Sequence, residues 1–153
     1  MKKKLLITVP IGIIVLIQFF RIDTQNPAIN LSNDFLNLTV APTEIQDILS
    51  NSCYDCHSYQ TKYPWYSNVA PVSWMLSSHI REGRGHLNFS EWNEYSSDKQ
   101  ISLKEECLEE IQSNNMPLKS YTLIHKGARL SDNSKQILVD WLKNNEQTGG
   151  AKK

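Results

Sequence analysis

Cys53-Tyr54-Asp55-Cys56-His57 constrains this chain more than any other stretch. Two cysteines separated by two residues, with a histidine directly after the second, form the attachment signature of a c-type haem. Thiols at that spacing can each bond one vinyl group of a single porphyrin. The histidine that follows lies under the iron and can supply its proximal nitrogen. Three residue types must agree at fixed spacing, so the pattern is specific for its length. The same residues admit other readings. A thioredoxin-like redox pair needs a βαβ pattern around it, and no such strand pattern surrounds this one. A zinc site needs four ligands, and a second Cys-x-x-Cys or His pair is missing. A structural disulfide over so short a gap closes too small a loop to stabilise much. His57 is the residue that favours haem. The motif therefore predicts Cys53 and Cys56 as covalent anchors of one haem c, with His57 as the proximal iron ligand.

The rest of the chain can be asked whether it locates, shields or completes that group. Its 153 residues suit one domain plus a tail or anchor. Sixteen basic residues balance sixteen acidic ones. However, Lys2, Lys3, Lys4 and Arg21 all precede Asp23, and the remainder is acidic. Basic residues are scattered with no stripe of interleaved aromatics, which excludes a nucleic-acid partner. Leu5 to Phe20 contains no charge and follows three lysines, as a basic n-region precedes an apolar h-region. It ends in Phe19-Phe20-Arg21-Ile22, with no small-x-small cleavage site. Residues 1–22 are thus expected to be an uncleaved signal anchor, a single-pass helix in the cytoplasmic membrane. The lysines would lie inside and the haem domain on the periplasmic, extracytoplasmic side.

Downstream, every element reads as helix or loop, so the expected fold is all-α. The expected architecture is a cytochrome c-like domain over residues 42–146, after a linker at 23–41 and before a flexible tail at 147–153. In the linker, Leu31, Phe35, Leu36 and Leu38 are expected to rest on the domain surface as an extended strap. Pro42 and Glu44 open a helix whose Ile45, Ile48 and Leu49 share one face and which leads into Cys53. The loop after His57 is dense in aromatics. Tyr63 and Trp65 are its candidates for a wall over one haem edge, against the plainer reading of loop anchors. Pro71 opens a helix expected to end near Arg81, before Gly83 and Gly85. A capped turn follows at 88–95, and then a helix over 102–112 with Leu103, Cys107, Leu108 and Ile111 on one stripe. Glu105, Glu106, Glu109 and Glu110 are expected to face water. Cys107 reads as a small buried apolar residue. Ser131 caps the last helix, which carries Ile137, Leu138, Trp141 and Leu142 inward.

Met116 is the candidate distal iron ligand. It lies on a loop before Pro117, well after the motif, where small monohaem cytochromes place their second ligand. The competing readings are a methionine that fills a core gap, or one of His79, His86 and His125 as the ligand.

The chain resembles the bacterial haem-binding-domain family of small, membrane-tethered, c-type cytochrome-like proteins. The matching stretches are Cys53-Tyr54-Asp55-Cys56-His57, Thr61-Lys62-Tyr63-Pro64-Trp65-Tyr66 and Gly85-His86-Leu87-Asn88-Phe89-Ser90. Met116-Pro117 through Tyr121, His125, Leu130 and Ser131 completes the match over about residues 42–145. The resemblance implies covalent haem c and electron transfer. The expected function is a monohaem carrier of single electrons between redox partner proteins, and not an enzyme. The alternative is a haem peroxidase or small-ligand sensor with an exchangeable sixth iron site.

Overall fold

The structure, a computed structural model, describes residues 2–146, so the tail at 147–153 lies outside the described residues. All regular elements among them are helical. The α-helices are α1 (Lys2–Ile17), α2 (Phe35–Leu38), α3 (Thr43–Ser52), α4 (Tyr54–His57), α5 (Val72–His86), α6 (Ser97–Gln112), α7 (Lys119–Ile124) and α8 (Asp132–Glu146). Short 3₁₀ turns at Leu31–Asn33, Trp65–Asn68, Phe89–Glu94 and Lys126–Ala128 join them.

Two apolar clusters organise the domain. The larger gathers Ile45 and Leu49 of α3, Leu103, Leu108 and Ile111 of α6, and Leu138, Val139 and Leu142 of α8 around Phe35, Phe89 and Trp92. Each helix contributes residues spaced three or four apart, and α8 packs on both α6 and α3. The smaller cluster is built by Tyr66, Leu76 and Ile80, with Cys56, Tyr63 and Val72 against it. Cys53 packs on the larger cluster. The single turn of α4 therefore bridges the two.

The segment at 23–41 is more than a linker. Phe35 is 1 % exposed. Its ring lies 4.6 Å from Trp92, 5.2 Å from Phe89 and 5.8 Å from Trp141. Burying such a ring stabilises by about 2–3 kcal/mol, which holds α2 in the core instead of on the surface. Asp34, also buried, caps α2 by accepting from Leu36 N at 3.0 Å. Its carboxylate further accepts from Tyr54 Oη at 3.1 Å and Gln60 Nε2 at 3.2 Å.

Helix α5 runs through both glycines to His86 instead of ending near Arg81. Gly83 is there for contact. A Cβ at that position would stand 2.7 Å from the Cys56 carbonyl oxygen, so only glycine lets α5 touch α4. Arg84 fastens the same region. Its Nε donates to Ser58 O at 2.8 Å, and its Nη2 reaches Asn26 Oδ1 and Thr61 Oγ1, each at 2.9 Å. Helix α6 starts at Ser97, earlier than the apolar stripe indicates, because the Ser96 hydroxyl accepts from Lys99 N at 3.3 Å and caps it.

The anchor expected at residues 1–22 is corrected. Helix α1 has 16 residues, roughly 24 Å at 1.5 Å per residue, against a hydrocarbon core of about 30 Å. Among the described residues no helix is long and apolar enough to cross a membrane. The single-pass placement is therefore overturned, and the periplasmic side loses the anchor from which it was deduced. The end of α1 instead meets the start of α5. Gln18 Nε2 donates to Ala70 O and Gln18 Oε1 accepts from Ala70 N, both at 3.0 Å, while Trp74 Nε1 donates to Phe20 O at 2.8 Å.

Candidate functional site

Where the two clusters meet, a cleft opens. One arm encloses about 790 Å³ of space between atoms, open solvent at its mouth included. Its walls include Phe35, Leu49, Leu87, Phe89, Trp92 and Leu103. A second, more polar arm is lined by Cys56, His79, Glu82, Gly83, Leu118 and Tyr121. Ser52, Cys53, His57, His86, Met116 and Pro117 line both arms. The motif thus stands at the junction, with apolar surface on one side and polar groups on the other.

Local chain geometry sets each group. Helix α3 ends at Ser52 with Cys53 as its cap, and the Cys56 and His57 amides both donate to the Cys53 carbonyl, at 3.1 and 2.9 Å, winding α4. That turn puts the two thiols and the imidazole on neighbouring faces of one short helix. The His57 ring is oriented by its Nδ1, 3.1 Å from the Leu87 carbonyl just past the end of α5. With Nδ1 donating there, Nε2 is the nitrogen that can bind a metal. Burial holds the His57 imidazole below its ordinary pKa, opposed by the Leu87 and Gly83 carbonyls. The ring is therefore neutral near pH 7, the form a metal requires.

All three cysteines are free thiols. Burial pushes Cys53 up to about 12, with Cys107 and Cys56 adding to the effect. Cys56 is pushed up to about 11 by burial and by Asp55, partly offset by Arg84. A redox-active Cys-x-x-Cys stabilises its thiolate, and these surroundings do the reverse. Among the described residues no group of three or more His, Cys, Asp or Glu could hold a metal ion, which removes the zinc reading. Cys107 lines the apolar arm and packs against the larger cluster, where burial pushes it up to about 12.

The distal side comes from the end of α6. Asn114 takes a φ of 57°, a left-handed conformation that asparagine tolerates. The Asn115 and Met116 amides then both donate to Glu110 O, at 3.0 and 3.2 Å. This closure turns the chain back on itself and brings Met116 and Pro117 to the cleft. His79 and His86 also reach it, because the unbroken α5 puts residues seven apart on one face. His86 Nε2 is engaged by Glu106 Oε2 at 2.7 Å, a bond across the mouth between α5 and α6. His125 lines neither arm, and its Nε2 is 2.6 Å from Tyr66 Oη.

Tyr63 and Trp65 do not form the wall. Trp65 is 77 % exposed and lines neither arm, and Tyr63 packs on the smaller cluster. Phe35, Phe89 and Trp92 take that place. Of the acidic face expected on α6, Glu105 and Glu109 are exposed, while Glu106 and Glu110 edge the cleft. Sequence reasoning also missed Asp55, which sits inside the motif. Its Oδ2 accepts from Tyr121 Oη at 2.6 Å and its Oδ1 from Lys62 N at 2.8 Å.

The residues present fit a haem: an apolar slot, two neutral thiols at its edge, an oriented neutral imidazole, and a thioether among the lining groups. A family model described as a haem-binding domain matches residues 12–144. No curated protein and no solved structure matches the chain.

Proposed function

Because this chain belongs to the haem-binding domain family, we propose that it is a monohaem, c-type cytochrome-like electron carrier whose one haem is held in the cleft by Cys53 and Cys56. Cys53 and Cys56 would hold the group as thioethers, each S–H adding across one vinyl double bond with no oxidant consumed. The resulting thioethers carry no charge, which suits surroundings that disfavour thiolate at both positions. His57 would supply one nitrogen ligand to the iron and Met116 a thioether sulfur. The haem supplies an iron that alternates between ferrous and ferric states. The protein orients His57 through the Leu87 carbonyl, excludes water with Phe35, Phe89 and Trp92, and raises the potential through the thioether ligand.

One observation carries this reading: Cys53, Cys56, His57 and Met116 share one cleft. It is tested by producing the protein with haem-attachment machinery. The expected product is one haem per chain, retained on denaturation and lost in the Cys53→Ala/Cys56→Ala double variant. The oxidised wild type should show the weak methionine–iron charge-transfer band, and Met116→Ala should abolish it and lower the potential. A bare polypeptide despite working machinery refutes the proposal.

The polar arm beside His79, Glu82 and Tyr121 favours a second reading, a peroxidase or small-ligand sensor. High-spin wild-type iron that binds carbon monoxide or peroxide readily would select it.

A further inference from the structure

Four rings run in series from the cleft to solvent. Tyr121 lines the polar arm. It stacks on His125, with centroids 4.4 Å apart and planes at 18°. His125 meets Tyr66 edge-on at 5.9 Å, and Tyr66 meets Trp65 edge-on at 5.8 Å. Trp65 is the most exposed of the four tryptophans, at 77 %, whereas Tyr66 is buried.

The phenols are also provided for. A tyrosine loses an electron readily only when its proton has somewhere to go. Tyr121 donates to Asp55 Oδ2 at 2.6 Å, and Tyr66, with the His125 proton on Nδ1, donates to His125 Nε2 at 2.6 Å. Burial raises both phenol pKa values, so each proton is in place at neutral pH.

We propose that Tyr121, His125, Tyr66 and Trp65 form a conduit for single oxidising equivalents between the cleft and the surface at Trp65. This rests on the reading that the cleft holds haem. The co-reactants are a one-electron oxidant outside and the reduced haem as electron donor. When Trp65 loses an electron, Tyr66 replaces it and passes its proton to His125 Nε2. Tyr121 then reduces Tyr66, which recovers that proton, while the Tyr121 proton moves to Asp55. Reduction of Tyr121 from the cleft returns its proton from Asp55. The net change is one electron moved outward, with no proton gained or lost by the chain.

The test is pulse radiolysis of the haem-loaded, reduced protein with azide radicals, which oxidise exposed tryptophan. The tryptophanyl radical should decay in a first-order step, independent of protein concentration, as tyrosyl absorption grows and haem oxidation follows. Tyr66→Phe should remove the first-order step, and Trp65→Phe should remove its starting radical. Trp65→Phe changes only an exposed side chain, so its folding is secure. Trp74→Phe, at a half-exposed indole outside the series, should leave the step intact. Unchanged decay in Tyr66→Phe, or loss of the step in Trp74→Phe, overturns the conduit. The tryptophan-to-tyrosine stage is read without the haem spectrum, so its failure is separate from a failure of haem attachment, which the polypeptide mass reports.

Discussion

Gly83→Ala tests the contact on which the motif's position depends. The added Cβ would lie 2.7 Å from the Cys56 carbonyl oxygen, 3.2 Å from its carbonyl carbon and 3.4 Å from its Cβ. The nearest obstacles are backbone atoms of α4, which cannot rotate aside as a side chain would. Ordinary contact begins at 3.4 Å, so the two helices must part by about 0.7 Å along that line. Such overpacking costs about 1–3 kcal/mol. Alanine in place of glycine within a helix returns up to about 1 kcal/mol. The net expectation is destabilisation by about 1–2 kcal/mol. Gly85→Ala is the internal control, because it lies in the same helix with nothing within 4 Å of its added Cβ. It receives only the propensity gain and should stabilise by about 0.5–1 kcal/mol. Thermal midpoints of the two variants should therefore differ by about 3–12 °C, in opposite directions from wild type. Gly83→Ala should also reduce the fraction of chains carrying haem, since the Gly83 carbonyl receives the Leu87 amide whose own carbonyl orients His57. A Gly83→Ala protein as stable as Gly85→Ala would refute the argument.

Other positions yield further expectations. Val40 is 84 % exposed with a φ of 47°, so Val40→Gly relieves backbone strain at no loss of packing and should stabilise by about 1 kcal/mol in urea unfolding. Burial raises the Asp34 pKa above 3.8 despite its hydrogen bonds from Tyr54, Leu36, Asn37 and Gln60. The folded state then binds more protons than the unfolded one between these two values. The associated stability is present below 3.8 and is lost as pH rises through the raised value. Asp34→Asn should consequently gain stability relative to wild type at pH 7 and lose that advantage near pH 4, read as denaturation midpoints at both. Arg84→Lys should cost about 2 kcal/mol, because an ammonium cannot span Ser58 O, Asn26 Oδ1 and Thr61 Oγ1 as the guanidinium does. A midpoint within error of wild type would show that those bonds are replaced by water.

Legibility followed the range over which each constraint acts. The start of α3 after Pro42, the inward face of α8 and the winding of Cys53 to His57 into one turn are local, carried by a few adjacent residues. Met116 at the cleft was also readable, because a methionine before a proline past a helix end has few places to go. Phe35 and Asp34 were not. Each looks like loop material until Trp92, Trp141, Tyr54 and Gln60 close around it, and those lie 20 or more positions away. Gly83 misled for a related reason. A glycine in a helical pattern reads as an end, and only the neighbouring Cys56 carbonyl shows it to be a point of crossing. The wall was assigned to Tyr63 and Trp65 by nearness in sequence, whereas the chain turns through Trp65–Asn68 and carries that indole away. The anchor failed on length, which hydropathy alone does not weigh against helix geometry.

The pairing of Gln18 with Ala70 has a mechanical side. Two opposed bonds to the backbone of one residue resist twisting as well as tilting, and Trp74 grips the chain a little further on. Helix α1, with apolar side chains exposed between Leu6 and Leu16, is thereby a fixed outrigger and not a loose tether. The bonds at Gln18 and Trp74 therefore set the direction in which α1 leaves the domain beside α5.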